Sequence, residues 1–167
     1  MNLPAIKLDF LKAITDDTGI FQHSKFGTPN RLEGYTTDDN ARALIAVTKH
    51  SQLKGNCQLY GLIDTYLSFL LHMQRENGKM HNFLSYDRSF LDEEGSEDCL
   101  GRTLWACGYV LNSELPKEKR FLAKEIFDKC FRWVRFFKSP RAMAFAVLGL
   151  SHYHRTYTED GNPIAEI

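Results

Sequence analysis

The stretch "GYTTDDNARALIAV" (residues 34–47) begins with polar residues and continues with small and apolar ones. Thr36 or Thr37 can cap a helix there, and acids in the first turn favour the helix dipole. Asp38 and Arg42 have the i, i+4 spacing and orientation that stabilise a helix. We therefore predict a helix whose apolar part, residues 41–47, is buried on more than one side.

The same pattern returns later in the chain. A shift of 60 residues aligns residues 33–46 with "EEGSEDCLGRTLWA" (93–106), so that Asp38 meets Asp98 and Arg42 meets Arg102. Four of the nine positions from residue 38 to residue 46 are identical to their counterparts. Self-similarity at a fixed period is typical of repeat architectures. Ser96, Asp98 and Arg102 are therefore expected to begin a second helix of the same kind.

Apolar spacing predicts two classes of helix along the whole chain. Amphipathic patterns indicate outer helices at residues 3–15, 58–75 and 117–137, whereas segments that are apolar or small nearly all round indicate inner helices at 41–47, 103–111 and 142–150. The alternation predicts an all-α protein of three outer/inner helical hairpins. We expect one domain over residues 1–167, forming about half of an α/α toroid.

Composition excludes several classes of partner. The 21 basic and 21 acidic residues balance and form no basic run, which disfavours nucleic acid. Neither a signal peptide nor a bilayer-spanning segment is evident, so we expect a cytoplasmic protein. The four cysteines form no C-x-x-C pair and are expected to be buried free thiols, and we expect neither a cofactor nor a metal.

Two long loops, residues 16–35 and 76–95, occupy equivalent places in the first two repeats. Each connects an outer helix to an inner one, so both are expected at the face where the inner helices begin. Loops of this length in a compact domain are usually functional. That face also carries the positive ends of the inner-helix dipoles and is where we expect a ligand.

At this point the sequence resembles a known family. The motifs are "ITDDTGIFQH" (14–23), "GYTTDDNARAL" (34–44) and "NFLSYDRSFLDEEGSEDCLGRTLWA" (82–106). They resemble those of a helical domain of bacteria and archaea, similar to six-hairpin glycosidases, that is attached to or encoded beside glycosyltransferases and mannoside-acting enzymes. The resemblance implies a role in carbohydrate metabolism. It also implies about six hairpins, so this chain is expected to be a fragment, a split protein or half of a two-chain toroid such as a homodimer.

Paired carboxylates are the chemistry that glycoside processing requires. Asp38 and Asp98 are largely explained as helix-start residues, each with an arginine four positions on. Asp39 and Glu97 have no basic residue at i+4, so we expect free carboxylates and assign them as the catalytic pair. Asp38 and Asp98 are the supporting or alternative acids.

The remaining candidates are side chains that can stack on sugar rings or bind hydroxyl groups. His23 and His81 lie at nearly the same repeat position, which favours a shared role. Apolar anchoring of the long loops is the alternative explanation for the aromatic residues. The predicted carbohydrate-binding residues are His23, Tyr35, Arg42, His81, Asn82, Tyr86, Asp87, Arg88, Arg102 and Trp105, with Phe21, Phe26 and Phe83 as further stacking surfaces. A metal is disfavoured because His152 and His154 are two apart and face different ways.

Two other functions remain open. The chain could be a sugar-binding, docking or oligomerisation module of a glycosyltransferase without chemistry of its own. A terpene-cyclase-like role is a remote alternative, since "TTDDNA" lacks the first acid of the D-x-D-D-T-A motif. Half a toroid would also expose apolar edges of its inner helices, so self-association is expected.

Overall fold

The structure is a computed structural model that describes residues 6–55 and 57–159, with the side chains of residues 158 and 159 left out. As predicted, the described chain is mostly helical. Six α-helices are α1 (Asp9–Ala13), α2 (Thr37–Lys54), α3 (Tyr60–Met73), α4 (Glu97–Leu111), α5 (Lys117–Phe131) and α6 (Pro140–Glu159). Strands of two residues each are β1 (Ser24–Lys25), β2 (Thr28–Pro29), β3 (Tyr35–Thr36) and β4 (Phe83–Leu84).

Helices α2, α4 and α6 form one layer and run parallel to one another. Asp38 of α2 pairs with Arg102 of α4 near their starts, and Gln52 meets Tyr109 further along. On the other side of α4, an alanine side chain at Gly108 would touch the backbone of Gly149 in α6. Helix α4 therefore lies between α2 and α6, with eleven of its residues buried.

Helices α3 and α5 form a second layer on one side of the first. The Lys119 ammonium pairs with the Asp64 carboxylate, and the Gln74 amide donates to the Ile126 carbonyl at 2.9 Å, so α3 and α5 are parallel to each other. The hydrophobic core lies between the two layers, since an amphipathic helix must bury its apolar stripe. Its fully buried side chains include Leu44, Val47, Ile63, Leu67, Leu70, Leu104, Cys107, Ile126 and Phe127.

The two long loops pair with each other beside the start of α2. Strand β3 is antiparallel to β4, with Tyr35 opposite Leu84. The Thr37 N–H donates to the Asn82 carbonyl at 2.9 Å. Gly34 has a φ of 63°, and a Cβ there would lie 2.2 Å from the Leu84 carbonyl oxygen. The predicted placement of both loops at the face where the inner helices begin is confirmed.

Asn40 joins the first loop to α2. Its side chain is fully buried; Oδ1 accepts from the Ile20 N–H at 3.0 Å, and Nδ2 donates to the Thr36 carbonyl at 2.8 Å. Buried polar groups of this kind are stabilising only because each has a partner. The side chain therefore fixes the position of the loop relative to the helix start.

Several predicted details need correction. The outer helix expected over 117–137 ends at Phe131, and a short 3₁₀ helix follows at Val134–Phe136. Of the first predicted helix, only Asp9–Ala13 is helical within the described residues. Cys99, Cys107 and Cys130 are buried free thiols as expected, but Cys57 is exposed. Helix α6 is buried on one side only: Met143, Val147 and Leu148 are exposed.

Candidate functional site

Asp39 has partners that the sequence did not predict. Its N–H donates to the Thr36 hydroxyl oxygen at 3.1 Å, and the same hydroxyl donates to the Asp39 carboxylate at 2.7 Å. The Arg42 guanidinium also pairs with this carboxylate. The prediction of a free carboxylate is wrong because arginine three positions on reaches the same face of the helix as one four positions on. Asp39 therefore stabilises the start of α2.

Glu97 also has partners, and they come from a different helix. Its carboxylate accepts hydrogen bonds from the backbone N–H groups of Lys138 (2.8 Å) and Ser139 (2.7 Å), immediately before α6. These bonds lower the pKa of Glu97, with the Ser139 bond the larger cause, because they favour the ionised carboxyl. The expectation that Glu97 is free is therefore wrong: it orders the segment that leads into α6.

Asp38 and Asp98 each pair with the arginine of the next helix in the layer rather than with their own i+4 arginine. Asp38 Oδ1 lies 3.6 Å from Arg102 Nε, and Asp98 Oδ2 pairs with Arg141 of α6. The Ser139 hydroxyl donates to Asp98 Oδ1 at 3.2 Å. The predicted pairs within one helix are thus replaced by a series of ion pairs that links α2 to α4 and α4 to α6.

The Asp38 carboxyl differs electrostatically from its neighbours. Its side chain is 29% exposed, and Oδ1 accepts no hydrogen bond from the described residues. Burial raises the pKa of Asp38, because the ionised form loses hydration; the Arg102 and Arg42 charges oppose this effect, and Asp39 and Asp98 reinforce it. A half-buried carboxyl with a raised pKa is suited to holding a proton for transfer.

One side of the α2, α4, α6 layer faces away from α3 and α5, and we call it the inner face. On α4 it consists of Asp98, Arg102, Trp105 and Tyr109, whose spacing places them on one helix face. The Trp105 ring is stacked on Phe145 of α6 with centroids 5.7 Å apart and planes at 6°. The Arg102 guanidinium carbon lies 4.2 Å from the centre of the Phe145 ring. The inner face thus joins the Asp38–Arg102 pair to an aromatic surface.

The inner face continues to a polar cluster near the ends of α2 and α4. The Tyr109 hydroxyl donates to Gln52 Oε1 at 3.3 Å, and the Tyr109 ring meets the His152 ring edge to face at 5.0 Å. Burial, and then the charge of Arg155, lower the pKa of His152, which keeps the imidazole neutral at pH 7. His152 Nδ1 is buried without a hydrogen-bond partner in the described part of the chain.

Sequence reasoning missed Gln52, Tyr109, Phe145 and His152. Their spacing in the sequence could have identified them, since Arg102 and Tyr109 are seven residues apart, as are Phe145 and His152. Seven residues are close to two turns, so each pair lies on one side of its helix. The apolar character of "TLWACGYVL" and "AMAFAVLGL" directed attention to burial instead. Tyr109 is a polar residue within the apolar stretch of α4, and His152 lies just after the apolar stretch of α6.

Three of the predicted sugar-binding residues instead hold the loops in place. Tyr35 is buried, stacks on Phe21 at 4.8 Å and donates its hydroxyl to Asp16 at 2.7 Å. His81 stacks on Phe90 at 4.1 Å, and its Nδ1 lies 2.8 Å from the Asp92 carbonyl oxygen. Asn82 is buried, and its N–H donates to the Asp92 carboxylate at 2.7 Å. Apolar and polar anchoring explains their presence better than access to a ligand.

The other loop candidates lie at the surface. Arg88 pairs with Asp17 at 2.9 Å, and Asp87 accepts from Ser85 and Ser89 within its own turn. Tyr86 is half exposed, beside the Arg31 guanidinium. These contacts connect loop residues to one another.

The two histidines expected to share a role lie in different surroundings, since His23 is exposed whereas His81 is largely enclosed. Phe26 is 98% exposed and Phe83 is 40% exposed, so these two rings are accessible. The sequence equivalence of His23 and His81 therefore does not extend to their contacts.

No family model matches the sequence, and no curated protein matches it. Within residues 6–55 and 57–159, no group of three or more His, Cys, Asp or Glu side chains is placed to hold a metal ion. In the same residues, no helix has the length and hydropathy required to cross a bilayer. The described residues thus form a mostly helical protein with two helix layers and a polar, aromatic inner face.

Proposed function

We propose that this chain is the carbohydrate-processing part of an α/α toroid, with the sugar bound at the inner face. Asp38 is the proton donor to the glycosidic oxygen, and Asp98 is the second carboxyl group, which assists water or attacks directly. The single observation that carries this proposal is the Asp38 carboxyl, which is half-buried, has a raised pKa and lies 3.6 Å from Arg102, whose guanidinium lies over the Phe145 ring.

Two carboxyl groups in different environments suit glycoside chemistry. One must keep a proton and the other must be ionised, and enzymes achieve this by giving the two groups different surroundings. Asp38 is desolvated and Arg102 lies 3.6 Å away, whereas Asp98 pairs with Arg141 and accepts from Ser139. We therefore assign the proton donor to Asp38, whose Oδ1 accepts no hydrogen bond from the described residues, rather than to Asp39 or Glu97. The second carboxylate is assigned to Asp98, which lies on the inner face of α4 beside Arg102.

The proposed ligand class rests on two supports. Aromatic rings beside hydrogen-bonding groups provide a surface that is apolar in one part and polar in another, as a sugar ring is. The inner face combines Trp105 and Phe145 with charged and amide side chains. The sequence resemblance to domains beside glycosyltransferases and mannoside-acting enzymes independently supports a sugar.

The toroid is the larger arrangement that we propose around this site. Parallel neighbours α2, α4 and α6 support it, since inner helices of a toroid share one direction. The exposed row of Met143, Val147 and Leu148 on α6 offers an edge on which another inner helix can pack. Further hairpins or a second copy of the chain would extend the layer, and light scattering of the purified chain over a concentration series distinguishes a monomer from a dimer.

Turnover of mannose- and glucose-containing oligosaccharides tests the function directly. We expect Asp38→Asn and Asp98→Asn to reduce turnover by about 10²-fold or more, as general acid or base catalysis contributes this much. Asp64→Asn, which removes an exposed carboxylate from α3, is the matched control and should retain turnover. Full activity of Asp38→Asn overturns the assignment, and sugar binding without turnover by the unmodified protein indicates the binding module instead.

A further inference from the structure

The inner face is much longer than one sugar ring. Asp38 and Gln52 both lie on the side of α2 that meets α4, and a rise of 1.5 Å per residue separates them by about 21 Å along the helix. This length is several times the width of a hexose. A ligand that contacts Asp38 alone would leave the far part of the face empty.

The end of the inner face at Gln52 and Tyr109, which we call the far part, carries a different set of side chains from the end at Asp38. An amide from Gln52, a phenol from Tyr109 and an imidazole from His152 meet there, each contributed by a different helix of the layer. All three groups can donate or accept hydrogen bonds, as the hydroxyl groups of a sugar can, so they are suited to bind them. Charged pairs such as Asp38–Arg102 lie at the other end of the face.

One atom of this cluster lacks a partner. His152 Nδ1 is buried and has no hydrogen-bond partner within the described residues. Buried polar atoms in native proteins are nearly always paired, but this nitrogen is not among the contacts that hold the helices together. Tyr109 contributes both the hydroxyl that donates to Gln52 and the ring that contacts His152, so the three side chains form one cluster.

From these observations we infer that Gln52, Tyr109 and His152 form a second sugar subsite, which binds another unit of a chain whose scissile unit lies at Asp38. The inference rests on the proposed function. The ligand is accordingly an uncharged oligosaccharide laid along α4, with Trp105 and Phe145 beneath the unit between the two ends. Affinity then increases with the number of sugar units.

Binding calorimetry with mannose, mannobiose and mannotriose, and with the corresponding glucose series, tests this subsite. We expect the unmodified protein to bind the trisaccharide at least about tenfold more tightly than the monosaccharide. Tyr109→Phe keeps the ring against His152 and removes the hydroxyl, so the ratio of trisaccharide to monosaccharide affinity should fall about threefold to tenfold. Gln52→Ala, at an exposed helix position, should lower the same ratio without a risk of unfolding.

Tyr60→Phe is the matched control, because Tyr60 is a half-buried tyrosine on α3 in the other layer, beside Lys119. It should leave the affinity ratio unchanged. Equal affinity for one and three units, or an unchanged ratio in both Tyr109→Phe and Gln52→Ala, overturns the subsite while the proposed function stands. Length-dependent binding without cleavage leaves the subsite and removes the proposed chemistry, and no binding of any sugar overturns both.

Discussion

The short distance between α4 and α6 depends on glycine, and the substitution of one glycine by alanine tests it. Gly108 of α4 faces Gly149 of α6, and a Cβ on Gly108 would lie 2.4 Å from the Gly149 carbonyl oxygen and 2.9 Å from its carbonyl carbon and Cα. Carbon atoms pack at about 3.5–4.0 Å. All three atoms are backbone, so α6 must move by about 1 Å before Gly108→Ala can be accommodated.

The expected change in the free energy of unfolding of Gly108→Ala is the sum of two opposing effects. Overpacking of this kind destabilises a protein by about 1–3 kcal/mol, and the absence of a flexible side chain that could give way favours the upper end. Alanine in a helix interior offsets about 1 kcal/mol of this. Gly108→Ala should therefore lose about 2 kcal/mol of unfolding free energy, which corresponds to a decrease in Tm of about 4–8 °C.

Gly61→Ala is the matched control, because Gly61 is also helical and a Cβ there would meet nothing within 4 Å. It should stabilise the protein by about 0.5–1 kcal/mol through the same helix preference. Urea unfolding and thermal melts followed by circular dichroism measure both variants. A Gly108→Ala variant as stable as Gly61→Ala would refute the close packing of α4 on α6.

Three further predictions concern polar contacts. Asn40→Ala should cost about 1–3 kcal/mol in urea unfolding, because it removes the acceptor of the Ile20 N–H and the side-chain donor to the Thr36 carbonyl; an unchanged midpoint contradicts this role. Glu97→Gln should lower Tm more than Glu118→Gln, since of these two only Glu97 accepts hydrogen bonds from the backbone N–H groups before α6. Equal Tm values for the two variants contradict this role of Glu97. Burial raises the pKa of Asp38 in the native state. At pH values between the ordinary aspartate pKa and this raised pKa, the native state binds more protons than the unfolded state. The free energy of unfolding therefore decreases as the pH rises through this window. The measurement compares the urea midpoints of Asp38→Asn and the unmodified protein as a function of pH. The midpoint of the variant should rise relative to that of the unmodified protein across the window and the difference should level off above it, with Asp64→Asn as the charge control. A difference that does not depend on pH contradicts the raised pKa of Asp38.

Helix starts could be predicted from the sequence because their signals are local. Thr36 and Ser96 accept hydrogen bonds from residues three positions on, as their spacing from Asp39 and Cys99 indicates. The repeat likewise gave correct positions for the two long loops. Regular helices and their caps depend on neighbours along the chain, which is why one sequence contains enough information to locate them.

The partners of the acids could not be predicted in the same way. Asp38 has an arginine at i+4 within its own helix, yet the structure pairs its side chain with Arg102 of the neighbouring helix. The donors to Glu97 are backbone groups at Lys138 and Ser139, which no side-chain pattern reveals. Contacts between helices depend on helix separation and rotation, and local spacing does not specify either.

The pairing of β3 with β4 has a consequence for how the chain folds. These strands are separated along the chain by the whole of α2 and α3, so their pairing closes a long loop. Contacts between distant parts of a chain lose loop entropy before they contribute stability, and they slow folding. We therefore expect the strand pair to form late, and we expect it to couple the unfolding of the first two repeats. Helices of an ordinary repeat array can open one after another, but here the amides of β3 and β4 should exchange with solvent only when both repeats open.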